Sequence, residues 1–189
     1  VIFFADGESS REIKASKDDL IKTRKSNAEK ACKVVGCASV DFLGLPDNRM
    51  DSINLIDIVK KVEHYINIHK PNKVFTHYGD DLNIDHQIVN QAVVTACRPQ
   101  PNHSVKEIYF FEIPSSTEWG LKKTFSPNCF FDISNTLHLK IEALNIYESE
   151  LKEFPHPRSI KAIEALALLR GSSVGLKNAE AFILARSIS

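Results

Sequence analysis

At 189 residues the chain has the size of one ordinary domain and can bury a single substantial core. Lysine plus arginine number 24 and aspartate plus glutamate 24, so the formal net charge is zero, which argues against nucleic acid or an anionic membrane surface as the principal partner. A hydrophobic share of 43% excludes a disordered chain, and no apolar run, ALALL beginning at Ala165 included, is long enough to span a membrane.

In chain order, Val1 to Ala5 is a continuous β-branched and aromatic run that predicts a buried strand, followed by the loop DGESS. Asp18 to Val35 places Leu20, Ile21, Ala28, Ala31 and Val35 at helical spacing, with Gly36 at a C-cap position. ASVDFLGL predicts a short strand entering the turn PDNR, and Ile56, Val59, Val62 and Ile66 predict a helix over 53–68. NKVFTH is the next strand, followed by a turn crowded with acids and a helix from about Asp85 to Cys97. SVKEIYFFEI and NCFFDIS read as strands, and NTLHLKIEALNIYESEL as a helix capped by Asn135 or Thr136. PHPRSIKAIEALALLRG is a loop leading into a helix, and AEAFILARS is a final strand or helix end. Alternation of strands and helices predicts an α/β fold with a mostly parallel sheet flanked by helices, in which ligands bind at the carboxyl ends of strands. Three polar clusters follow strands: DGES, PDNR and YGDDLNIDH.

The last cluster holds more potential ligands than a chain reversal needs. His86, with Asp85 beside it, is a candidate metal ligand, since a neutral imidazole binds zinc through one nitrogen while the other takes an orienting acceptor. As plain structure it is a surface histidine near a helix start. Asp85 suits the N-cap of that helix on backbone grounds, a role compatible with orienting His86. Asp80 and Asp81 read either as acid, base or ligand groups or as a solvated acidic turn. Asn83 either donates to a substrate or holds the turn. Asp6 with Gly7, and Asp47 with Arg49, have ordinary turn readings, and Arg24 that of a solvated helix face. Cys32, Cys37, Cys97 and Cys129 form no close pair, which predicts a reducing, cytoplasmic setting. No G-x-G-x-x-G follows any strand, which sets aside a dinucleotide-cofactor protein.

Taken in order, VIFFADGESS, TRKSNAEKACKVVGC, VDFLGLPDNRM and PNKVFTHYGDDLNIDHQIVNQAV resemble the PIG-L (LmbE-like) family of zinc-dependent N-deacetylases, and YESELKEFPHPRSIKAIEALALLRGSSVGLKNAEAF is similar to its bacterial sugar-modifying branch. The resemblance covers nearly the whole chain. It implies a Rossmann-like fold, Zn2+ as cofactor, and hydrolysis of the acetamide of an N-acetylglucosamine-like sugar, such as a surface-polysaccharide precursor. It makes His86 the third zinc ligand and gives Asp85 and Asn83 places at the catalytic centre. Arg24, Asp47 and Tyr78, with His156 and Arg158 of PHPRS, match positions suited to gripping substrate hydroxyls or a phosphate. The implied partner is a small-molecule or lipid- or nucleotide-linked amino sugar, with no nucleic acid and no integral membrane segment, and homo-oligomer formation is compatible with the sequence.

Two departures stand out. No A-H-P-D-D-E motif, the family's source of two ligands and the general base, occurs in these 189 residues. The start on an apolar strand without methionine predicts that residues 1–189 are a single deacetylase-like domain lacking its N-terminal strand and metal-binding motif. Asn83 also stands where many members carry histidine, and an amide cannot exchange a proton at neutral pH. A competing reading is a non-catalytic sugar- or nucleotide-binding α/β domain that has lost the metal site.

Overall fold

The computed structural model describes residues 1–8 and 17–189, so Ser9 and Ser10 of DGESS lie outside the described residues. Among the described residues there are six strands and five α-helices: β1 Ile2–Ala5, α1 Lys17–Val34, β2 Asp41–Leu45, α2 Leu55–His69, β3 Lys73–His77, α3 Ile84–Ala96, β4 Glu107–Phe111, β5 Cys129–Asp132, α4 Leu137–Asn145, α5 Ile160–Ser172 and β6 Ala179–Ser187. Each falls where periodicity predicts it, and AEAFILARS is a strand. The helix predicted across NTLHLKIEALNIYESEL is shorter: α4 stops at Asn145, and Glu148–Glu150 forms a separate 3-10 turn. Thr136 holds the N-cap position of α4 but makes no side-chain capping bond.

The fold is mixed α/β, and the expectation of a mostly parallel sheet needs correcting. β1 pairs with β2 in parallel, as does β3 with β4, but β6 runs antiparallel to β4 in a four-stranded sheet ordered β3-β4-β6-β5. Periodicity reports which face a side chain takes, not the direction in which a strand is entered.

The described chain divides into two compact units, Val1–Arg49 with Asp132–Glu180, and Met50–Phe131 with Ala181–Ser189. In the first, Ala28, Ala31 and Cys32 of α1 and Ile163 and Ala167 of α5 are buried. In the second, α2 buries Ile58, Val62 and Ile66 at four-residue spacing together with Val59, while Ile56 is exposed, and α3 buries Val89, Ala92, Val93 and Ala96. Burying each of the larger aliphatic side chains contributes about 2 kcal/mol, enough to fix α2 and α3 in register. The four cysteines are free thiols. No helix among the described residues is long and apolar enough to cross a membrane.

Candidate functional site

In the second unit the parallel pair β3 and β4 ends with both carboxyl termini side by side, His77 opposite Phe111. The chain leaves β3 through Tyr78–Leu82 and enters α3. Gly79 is needed there for space: a Cβ would stand 2.9 Å from Asn90 Oδ1, and Asn90 is itself anchored by donating to the His77 carbonyl at 2.7 Å.

The helix cap is Asn83, not Asp85. Its Oδ1 accepts the N–H of Asp85 at 2.8 Å and of His86 at 3.4 Å, satisfying donors that the first turn leaves open. Asp85 lies inside that turn, 5% exposed, and its Oδ1 accepts the Met50 N–H at 3.0 Å, tying down the 3-10 turn Met50–Ser52.

The carboxylate on His86 belongs to Asp81. His86 Nδ1 lies 2.9 Å from Asp81 Oδ1, while Asp81 is 1% exposed and also receives the Asn83 N–H at 2.9 Å, the Thr117 hydroxyl at 2.5 Å and the Ser116 hydroxyl. Burial opposes the carboxylate's charge, yet the donors from His86, Ser116, Thr117 and Asn83 outweigh it and hold Asp81 at about 2. With a carboxylate as acceptor, the proton of a neutral His86 sits on Nδ1 and the lone pair on Nε2. That is the arrangement in which a histidine binds a metal. Against His86 stacks His77, ring centroids 4.3 Å apart and 15° from parallel. Burial, with His86 beside it, pushes His77 down to about 3 against the pull of Asp81, so its ring is neutral; its buried Nδ1 has no hydrogen-bond partner.

Tyr78, 8% exposed, packs edge-on to Phe125 and donates its hydroxyl to Asp80 at 3.4 Å. Burial and the neighbouring Asp80 raise its pKa. Asp80 is therefore hydrogen-bonded rather than merely solvated.

In the first unit two of the remaining sequence candidates, Arg24 and Arg158, sit in a chain of charges. Arg24 donates through Nε and Nη2 to Glu8 Oε1, at 3.0 and 2.6 Å, and through Nη2 to Glu150 Oε1 at 2.8 Å. Arg158 Nη1 reaches the other Glu150 oxygen at 3.2 Å. Glu8 is 6% exposed. Burial lowers the Arg24 pKa, but Glu150 and Glu8 together raise it further, so the guanidinium is a fixed internal cation rather than a solvated one. His156 Nδ1 accepts the Arg158 N–H at 3.0 Å, holding the PHPRS turn. Asp47 accepts from the Asn48 amide at 3.1 Å in the turn after β2, where Asn48 adopts a left-handed φ of 51°. Asp6 accepts the Glu8 N–H at 2.9 Å across Gly7, the turn that an Asp-Gly pair predicts. The sequence reading missed Glu8, Glu150, His77, Ser116 and Thr117; SSTEWG, a polar cluster directly after the β4 run, was the available signal for the last two.

Among the described residues no group of three His, Cys, Asp or Glu is arranged to hold a metal ion. The donor chemistry at His86 fits one ligand of such a site: an imidazole with a buried carboxylate on one nitrogen and the other nitrogen in lone-pair form.

A family model described as "PIG-L: GlcNAc-PI de-N-acetylase" matches residues 1–97. A probable N-acetyl-alpha-D-glucosaminyl L-malate deacetylase 2 of Bacillus cereus is 23% identical over 141 residues, and the chain spans 74% of its own length but only 63% of that relative's. The structure of an N,N'-diacetylchitobiose deacetylase from Pyrococcus horikoshii superimposes with a TM-score of 0.76 at 16% identity, covering 98% of this chain and 72% of that one. The 4-carboxy-2-hydroxymuconate hydratase GalB from Pseudomonas putida superimposes with a TM-score of 0.77 at 19% identity, covering 100% and 84%. The shared fold thus hosts more than one reaction.

Proposed function

The chain belongs to the PIG-L family, and from that membership we propose that it is part of a zinc-dependent hydrolase that removes the acetyl group from an N-acetylated, GlcNAc-like amino sugar, a precursor of a surface polysaccharide. The observation that carries this reading is the His86–Asp81 pair, which leaves one imidazole nitrogen ready to bind a metal. His86 would hold the zinc. Bound there, zinc would supply Lewis acidity, polarising the amide carbonyl and acidifying water. The remaining two ligands and the general base are proposed to come from an A-H-P-D-D-E segment, with residues 1–189 contributing the rest of the same mixed α/β deacetylase domain.

The chain's own residues do the positioning. Asp81 holds the His86 ring, and Asn83 caps the helix that presents it. Asn83 and Asp85 flank the reacting group in this reading, with Asn83 orienting the acetamide rather than exchanging protons. Of the substrate-side candidates, Asp47, His156 and Arg158 are proposed to meet sugar hydroxyls or a phosphate. The hydrogen bonds of Arg24 and Tyr78 favour a supporting role for those two. The free thiols and the absence of a membrane-spanning helix among the described residues support a cytoplasmic setting, and the balanced charge supports a small-molecule or carrier-linked sugar over nucleic acid. Homo-oligomer formation is compatible with this reading.

The test is metal content of the full-length protein by elemental analysis beside an amine-release assay on N-acetylated sugars. One zinc per chain and amine release are expected, with both lost in His86→Ala. Full zinc and full activity in His86→Ala would overturn the assignment, and a zinc-free, inactive full-length protein would favour a binding module.

A further inference from the structure

The carboxylate that orients His86 is itself gripped from the loop after β4. Ser116 and Thr117 both give their hydroxyl protons to Asp81, from positions 35 and 36 residues further along the chain. Donor accounting fixes the direction of these bonds. A carboxylate only accepts, and Thr117 Oγ1 already accepts the Ile113 N–H at 2.7 Å, so its one proton goes to Asp81. A carboxylate offers about four acceptor sites. Asn83 N–H, His86 Nδ1–H and the Ser116 hydroxyl meet Oδ1 and the Thr117 hydroxyl meets Oδ2, so both oxygens are held and Asp81 cannot rotate toward another partner without giving a donor up.

The loop is preset to make these bonds. The Glu118 carboxylate accepts the Ser115 N–H at 2.6 Å and the Ser116 N–H at 3.3 Å, and Ser116 N–H also reaches the Ile113 carbonyl at 3.1 Å. Gly120 lets the loop seat against the acidic turn, since a Cβ there would stand 2.9 Å from the Asp80 carbonyl oxygen.

We propose that Ser116 and Thr117 are positioning residues for the metal-binding nitrogen of His86, acting through Asp81. The inference rests on the reading of His86 as a metal ligand. Without either hydroxyl, Asp81 gains a rotational freedom that it passes to the imidazole, and a ligand ring displaced by a few tenths of an ångström binds metal less well.

The experiment is a Co2+ titration of the metal-free full-length protein, read by the ligand-field absorption of Co2+ and by competition with a chelator, with the melting temperature of each metal-free variant alongside. Ser116→Ala and Thr117→Val are expected to weaken Co2+ binding about tenfold and to alter the absorption bands, with Thr117→Ser restoring both; His86→Ala loses far more. If Ser116→Ala and Thr117→Val bind Co2+ like wild type while His86→Ala does not, the inference is overturned and the His86 reading stands, whatever the melting temperatures show. If His86→Ala binds like wild type, the reading falls and the inference with it. Should Thr117→Val fail to fold, Ser116→Ala decides alone, because the bond removed there is the hydroxyl's bond to Asp81.

Discussion

Asp81→Asn and Asp85→Asn together separate the roles of two carboxylates that precede His86 in sequence. Three donors converge on Asp81 Oδ1, from His86, Ser116 and Asn83, and one on Oδ2, from Thr117. An asparagine in that place keeps its oxygen toward the three and turns its amide toward Thr117. The three retained bonds lose their charge assistance, at roughly 1 kcal/mol each. The Thr117 proton is left without an acceptor, at about 1–3 kcal/mol. Removing a buried charge returns part of its desolvation cost, so the net loss expected in urea unfolding of the metal-free protein is about 2–4 kcal/mol. Zinc affinity, measured by chelator competition, should fall by about 10–100-fold. Asp85→Asn differs because its amide oxygen can still accept the Met50 N–H and because the cap, Asn83, is untouched. Its expected cost is under about 1 kcal/mol, with zinc affinity unchanged. A tenfold loss of affinity in Asp85→Asn beside a wild-type Asp81→Asn would refute the assignment of Asp81 as the orienting group.

Arg24→Met strips a cation from the 6% exposed Glu8 and from Glu150, and should cost roughly 3 kcal/mol in urea unfolding; an unchanged unfolding free energy with a raised KM would instead place Arg24 on the substrate. Gly79→Ala should lower the melting temperature through a loss of about 1–3 kcal/mol, because its new methyl meets Asn90, and an unchanged melting curve would show that the turn can relax. Alkylation of the native protein near neutral pH, followed by peptide mass spectrometry, should spare Cys32 and Cys97, both pushed up to about 11 chiefly by burial, and modify the half-exposed Cys37 and Cys129 first. Equal labelling of all four would contradict the burial.

Periodicity made the elements legible because burial writes a period of 3.6 or 2 into the chain, as Ile58, Val62 and Ile66 show on α2. It did not make the antiparallel entry of β6 legible, since strand direction leaves no periodic trace. The partner of His86 was misread for a reason that helix geometry supplies. Asp85 and His86 are successive residues of α3, so their side chains point about 100° apart and cannot face each other. A residue across the preceding turn can, and Asp81 does. Ser116 and Thr117 required the topology: only the parallel pairing of β3 with β4 brings the loop after β4 beside the loop after β3.

The crowding of acids and amides on the turn YGDDLNIDH then follows from a division of labour among neighbours. Asn83 answers the open N–H groups of α3, Asp85 holds Met50, Asp80 takes the Tyr78 hydroxyl, and Asp81 takes His86 with both hydroxyls of the facing loop. A turn serving only to reverse the chain would not bury a carboxylate, because desolvation costs more than one hydrogen bond returns. Here the cost is offset by four donors on one side chain, three of them from side chains that the fold had to deliver. Such an arrangement stabilises little beyond what an apolar core would supply, while fixing one imidazole in one orientation. That selective rigidity is what a metal ligand requires and a chain reversal does not.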